Sequence, residues 1–174
     1  MNNFAKAFAW MGPHEWNAYR HYTNLAADPG GATNWGVTQR LMDGVRNRIP
    51  GLPLNVRDLT LAQAQTIYQF VFWPPFASIA NDQIATKLFD MGVNLGVGTA
   101  ITYVQQAIGG LAVDGHIGPI TISAINKYQD IPGLLKKLCD HLSEHYNSWC
   151  DAEADREQFR AGLLDRAQQL PQAV

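Results

Sequence analysis

Charge is scarce in this chain. Asp, Glu, Lys and Arg make up 16% of the residues, the net charge is −2, and no run of Lys or Arg occurs anywhere along it. A partner held by phosphate neutralisation needs clustered cations, so no nucleic acid is expected as a partner. Cysteine is scarce too. Cys139 and Cys150 stand eleven positions apart on what reads as a helix and its end. On a straight helix that is well beyond disulfide reach, so both are expected as buried free thiols. Long apolar runs are missing as well: Met1 to Gly12 holds only Lys6 and no stretch suited to a secretory leader, and nothing later approaches a membrane span. The expectation is synthesis in the cytoplasm without a signal peptide and with no integral membrane segment. No internal repeat or low-complexity linker divides the 174 residues, and a 47% hydrophobic content suffices for one core. A single compact unit working as a monomer is expected.

What is present is mostly helical periodicity. Phe4, Phe8, Met11 and Glu15 recur at spacings of three and four, which predicts a helix from about Asn3 with Glu15 on its last turn. Gly12-Pro13 interrupts it, because proline removes a backbone donor and kinks the helix. From Trp16 to Trp35 the helical period disappears, and the polar, aromatic and glycine-containing composition predicts irregular hairpin-like turns ending at Asp28-Pro29-Gly30-Gly31. Helix resumes near Thr38. Thr60-Leu-Ala-Gln63 reads as a capping box opening a helix to about Phe72, stopped by Trp73-Pro74-Pro75. Asn81 caps the next helix, with Ile84, Leu88, Met91 and Leu95 on one face, and another follows with Ile101, Val104 and Ile108. Asp114-Gly115-His-Ile-Gly118-Pro119-Ile-Thr121 is a turn feeding a helix whose first position accepts proline. Helices over about Pro132 to Trp149 and Ala152 to Leu170 complete a mainly α reading.

Two acids stand out. Glu15 ends a helical run, and Asp28 lies beyond an aromatic-rich polar turn. Breaking a glycosidic bond requires a protonated carboxyl to deliver a proton to the leaving oxygen and a charged one to activate water or face the developing positive charge. Glu15 and Asp28 could divide those tasks. Glu15, next to Trp16 and near Trp10, would be partly desolvated and so held protonated. Asp28 could also brace its turn by accepting backbone hydrogen bonds.

The helix ending at Glu15, followed by Asp28-Pro-Gly-Gly-Ala-Thr-Asn-Trp-Gly-Val-Thr38, resembles glycosyl hydrolase family 108. Leu88-Phe-Asp90-Met-Gly-Val-Asn94-Leu-Gly96, with Val104-Gln105-Gln106 and Asp114 to Thr121, is similar to the predicted peptidoglycan-binding region that follows that motif. The chain departs from the family after Glu15, where Trp16, Asn17 and Ala18 replace two glycines and a tyrosine and about four extra residues precede Asp28. A gap keeps Glu15 at the family's acid position; without one, Tyr19 falls there.

The resemblance implies a lysozyme-like helical bundle with a small irregular hairpin at about 16–37. It implies a catalytic region over 1–80 and a helical peptidoglycan-binding-like region over 81–174, packed as one unit. It also implies an N-acetylmuramidase acting on bacterial peptidoglycan, with Glu15 as general acid and Asp28 and Thr33 completing a Glu, Asp, Thr order like that of phage lysozymes. A phage endolysin fits this implication: made in the host cytoplasm, it would reach the wall in the periplasm after holin-dependent release. A non-catalytic wall-binding or secretion-regulating protein, or a lytic transglycosylase, remains the alternative.

Tyr22, Asn34, Trp35 and Gln39 could line a sugar cleft by stacking and amide hydrogen bonds. Asp90 and Asn94, four apart on one helical face, could bond the next element or a glycan strand. Asp114, Gly115, Gly118 and Thr121 read first as turn and cap residues. His141 and His145 share a face, but no third ligand is obvious beyond Glu144 and Cys139, so neither a metal nor any other cofactor is expected.

Overall fold

The computed structural model describes residues 3–15, 22–24 and 31–172, the side chains of His14 and Glu15 excepted. Among them the protein is mainly α, with eight helices and one three-stranded sheet. The chain divides into two compact units, Phe4–Pro74 and Met1–Asn3 with Pro75–Val174.

In the first unit, α1 (Phe4–Glu15) is followed by the short strands β1 (Tyr22–Thr23), β2 (Thr33–Asn34) and β3 (Val37–Thr38). Then come α2 (Gln39–Val45), a 3-10 turn at Val56–Asp58, and α3 (Leu61–Val71). As predicted, α1 has Glu15 on its last turn, with Pro13 inside the helix. Proline so near the end forfeits a single intrahelical bond, and the apolar stripe outweighs that loss. Phe4, Phe8 and Met11 are all buried. Phe8 meets Tyr68 of α3 edge-on at 5.5 Å, and Phe4 lies 5.7 Å from Trp73, so aromatic packing joins α1 to α3. The capping box at the start of α3 is present in both directions, with Thr60 accepting from the Gln63 amide and Gln63 accepting from the Thr60 amide.

The second unit holds α4 (Asp82–Leu95), α5 (Val97–Ile108), α6 (Pro119–Lys127), α7 (Ile131–Asp151) and α8 (Glu157–Gln168), the last preceded by a 3-10 turn at Ala154–Arg156. Asn81 caps α4 by accepting from the Ile84 amide, and Pro119 opens α6. Ile84, Leu88 and Met91 from α4 and Ile101 and Val104 from α5 are buried at the periods that the apolar stripes predicted, and Leu134, Leu138 and Leu142 from α7 are buried too. Cys139 and Cys150 are buried and free. A β-carbon on Gly92 would stand 3.1 Å from the Phe76 ring, so α4 needs its glycine at that approach.

Candidate functional site

The best-defined part of the catalytic-type segment is the hairpin following Asp28. The three strands form an antiparallel sheet in the order β1-β2-β3, with Tyr22 opposite Asn34, Thr23 opposite Thr33, Thr33 opposite Thr38, and Asn34 opposite Val37. Only Trp35 and Gly36 remain to turn the chain, and both have positive φ, +52° and +73°. That is the requirement of a primed two-residue turn, usually met by Asn-Gly. A tryptophan in the left-handed region is strained by about 1–2 kcal/mol. Three contacts hold it there. The Trp35 indole donates to the Leu59 carbonyl at 3.1 Å, its own carbonyl accepts from the Tyr68 hydroxyl at 3.2 Å, and its neighbour Asn34 is locked to the same loop.

Asn34 is 4% exposed, and its amide nitrogen faces the carbonyls of Val56, Arg57 and Leu59 at 3.0, 2.9 and 3.2 Å. Gln39 accepts from the Val56 amide at 2.7 Å and donates to the Leu54 carbonyl at 3.0 Å and to Asp43 at 2.9 Å. Through these bonds the amide groups of Asn34 and Gln39 clamp the hairpin and α2 onto residues 54–59. Thr33 is half-buried, and its hydroxyl donates to the Gly31 carbonyl at 3.2 Å. The Tyr22 ring lies under the Arg57 guanidinium at 4.8 Å. Trp35 and Tyr22 keep partly exposed rings on this sheet. Glu15 is the last residue of α1, but its side chain, like the whole of Asp28, lies outside the described residues. The same holds for Tyr19.

In the second unit Asp90 is turned to the interior. It is 1% exposed and bonded to Arg166 of α8 at 2.8 Å. Asn94 lies one turn further on. With its amide oxygen turned inward it accepts from the Tyr146 hydroxyl at 3.0 Å and from Arg166 Nη1 at 2.9 Å. The two residues thus tie α4 to α7 and α8. Sequence reasoning placed them on one helical face and missed Arg166, 76 positions from Asp90, which no local spacing announces.

Lys87 was missed for the same reason. Fully buried, it donates to the carbonyls of Ala167 and Gln169 at 2.9 Å each, satisfying the open end of α8. Burial pushes its pKa down, against the opposing pull of Cys139 and Asp90.

The Asp114 turn is organised by Gln105, which is 1% exposed. Its oxygen accepts from the amides of Asp114 and Gly115 at 3.1 and 3.0 Å, and its nitrogen donates to the Asp114 carboxylate at 2.9 Å and to the His116 carbonyl at 3.0 Å. The Gln105 bond, followed by one from the His116 amide, holds the Asp114 carboxyl below its ordinary value. Tyr103 stacks on His141 with ring centroids 5.2 Å apart, and its hydroxyl meets His145 Nδ1 at 2.9 Å. Burial, and next the Glu144 charge, raise the Tyr103 pKa.

A mainly helical protein with a small three-stranded sheet is the class that the fold defines. Residues 15–96 match the model of Glycosyl hydrolase 108, and residues 99–168 match that of the Predicted Peptidoglycan domain. The chain belongs in its first region to glycosyl hydrolase family 108 and carries a Predicted Peptidoglycan domain after it. Among solved structures it is similar to one titled "Structure of Brucella abortus SagA", at 25% identity and a TM-score of 0.74, over 95% of this chain and 89% of that one. No curated protein matches it. The protein is thus a glycoside hydrolase with peptidoglycan as its substrate.

Proposed function

We propose that the chain is an N-acetylmuramidase, a lysozyme that hydrolyses the β-1,4 bond between N-acetylmuramic acid and N-acetylglucosamine. The observation that supports this most is where the family match begins: its first residue is Glu15, the end of α1, and it takes in Asp28 and the hairpin bearing Thr33. Glu15 is the general acid that protonates the leaving oxygen. Asp28, with Thr33, places or activates the attacking water if configuration inverts; if it is retained, Asp28 or the substrate's acetamido group takes part. The partly exposed rings of Tyr22 and Trp35 offer faces for sugar stacking.

Purified peptidoglycan incubated with the wild type is expected to gain reducing ends. Glu15→Gln should lower that rate by at least about a hundredfold with the fold intact, because an amide cannot act as the acid. Undiminished turnover in the variant would shift the role to Tyr19. Anhydro-sugar ends would mark a lytic transglycosylase, and no turnover by the wild type would mark a wall-binding protein.

The same proposal includes an endolysin's setting. The protein is made in the host cytoplasm and acts on the wall from the periplasmic side after holin-dependent release; no described helix is long and apolar enough to cross a membrane. Expression in a bacterial host, with and without a pore-forming holin, tests it: lysis only with the holin is expected.

A further inference from the structure

Among the described arginines three have no carboxylate partner: Arg57, which lies over the Tyr22 ring, and Arg40 and Arg48. Arg46, Arg156, Arg160 and Arg166 are each paired with a carboxylate. Arg40 and Arg48 have no acidic partner among the described residues, and both line one open cleft of about 610 Å³ beside α2 and the end of α3. Among the described residues no acidic side chain lines that cleft. The Arg48 guanidinium lies 5.0 Å over the ring of Phe70, which is 40% exposed, so the cation is held over an apolar ledge. Thr38 also lines the cleft, and it is the cross-strand partner of Thr33. The cleft therefore starts one strand away from the segment assigned to catalysis.

A ligand matched to this surface carries carboxylates on a short chain with small apolar groups. Guanidinium forks recognise carboxylates, and the Phe70 edge with Leu41 and Val71 suits methyl groups. Peptidoglycan offers such a group beside its sugars. Where a stem peptide is attached, the lactyl carboxyl of the muramic acid is an amide, and the negative charge resides on the peptide, built of alanines and acidic residues.

We propose that the Arg40, Arg48 and Phe70 cleft binds the carboxylates of the stem peptide while the glycan lies along the hairpin, and so makes peptide-bearing strands the preferred substrate. This rests on the muramidase reading above.

Initial rates on peptide-bearing strands and on strands stripped of peptide by an amidase decide it, measured for the full chain and for the double variant Arg40→Ala, Arg48→Ala. The wild type is expected to prefer peptide-bearing strands by about tenfold, the scale of one charge-assisted hydrogen bond. That preference should shrink with added salt and fall close to unity in the double variant. Arg48→Lys, which keeps the charge but not the fork, should retain part of it. A wild type without preference, or a double variant that keeps it, overturns the proposal. So does an equal fall on both substrates, which would put the arginines on the glycan that the two have in common.

If the wild type cleaves neither substrate, the muramidase reading is what fails. The cleft is then decided by calorimetric titration of a synthetic stem tetrapeptide into the full chain. Binding that the double variant lacks upholds the proposal, and no binding by the wild type overturns it.

Discussion

Asn34 holds the hairpin from the inside, because one buried amide nitrogen faces three carbonyls of the 56–59 segment. Asn34→Ala leaves those carbonyls without that donor, which is expected to lower stability by about 2 kcal/mol, read as a shift in the urea midpoint with an unchanged slope. At this scale the sequence did not give the partners: Asn34 and Gln39 bond to the 54–59 segment, and Asp90 bonds to an arginine distant in sequence.

The Asp114 carboxyl makes a prediction with a definite sign. Its folded-state pKa lies below the ordinary value, owing first to Gln105 and then to the His116 amide. The unfolded state therefore binds its proton more readily, and stability contributed by the ionised form is present above the ordinary carboxylate value and lost as pH falls through the lowered one. Unfolding midpoints measured across the acid range should fall less steeply in Asp114→Asn than in the wild type.

Helix ends were legible at the scale of elements because their chemistry is local. The Thr60 and Gln63 pair forms its capping box within one turn, and Thr60→Ala is expected to cost about 1 kcal/mol, checked by thermal unfolding. Asn81 and Pro119 were readable on the same ground. The hairpin was legible as irregular structure but not as a primed turn. Nothing in Trp35-Gly36 taken alone favours a left-handed tryptophan, and the contacts that hold it come from Leu59 and Tyr68. The extent of α1 was legible too: the stripe of Phe4, Phe8 and Met11 marks a helix that carries on past Pro13 to Glu15.

The family border and the packing border do not coincide in the whole molecule. The Glycosyl hydrolase 108 match ends at Gly96, after α4, whereas by packing α4 belongs with α5 to α8. Ile84, Leu88, Phe89 and Met91 of α4 are fully buried, each contributing roughly 1.5–3 kcal/mol, so together they rival the net stability of a domain. Lys87 and Asp90 add bonds from α4 to the α8 end. A fragment of residues 97–174 is expected to be unfolded by circular dichroism, and one of residues 75–174 to be helical with a cooperative melt; equal folding of both would remove α4 from that core.

The sequence by itself determined the helices, their caps and the family of the chain, because periodicity, capping and motif order are written within a few residues of one another. The tertiary structure alone decided which polar groups are internal clamps, that Arg166 and Lys87 close the second unit, and that Arg40 and Arg48 share a cleft with Thr38. Those partners lie tens of residues apart, and only the folded chain brings them within bonding distance.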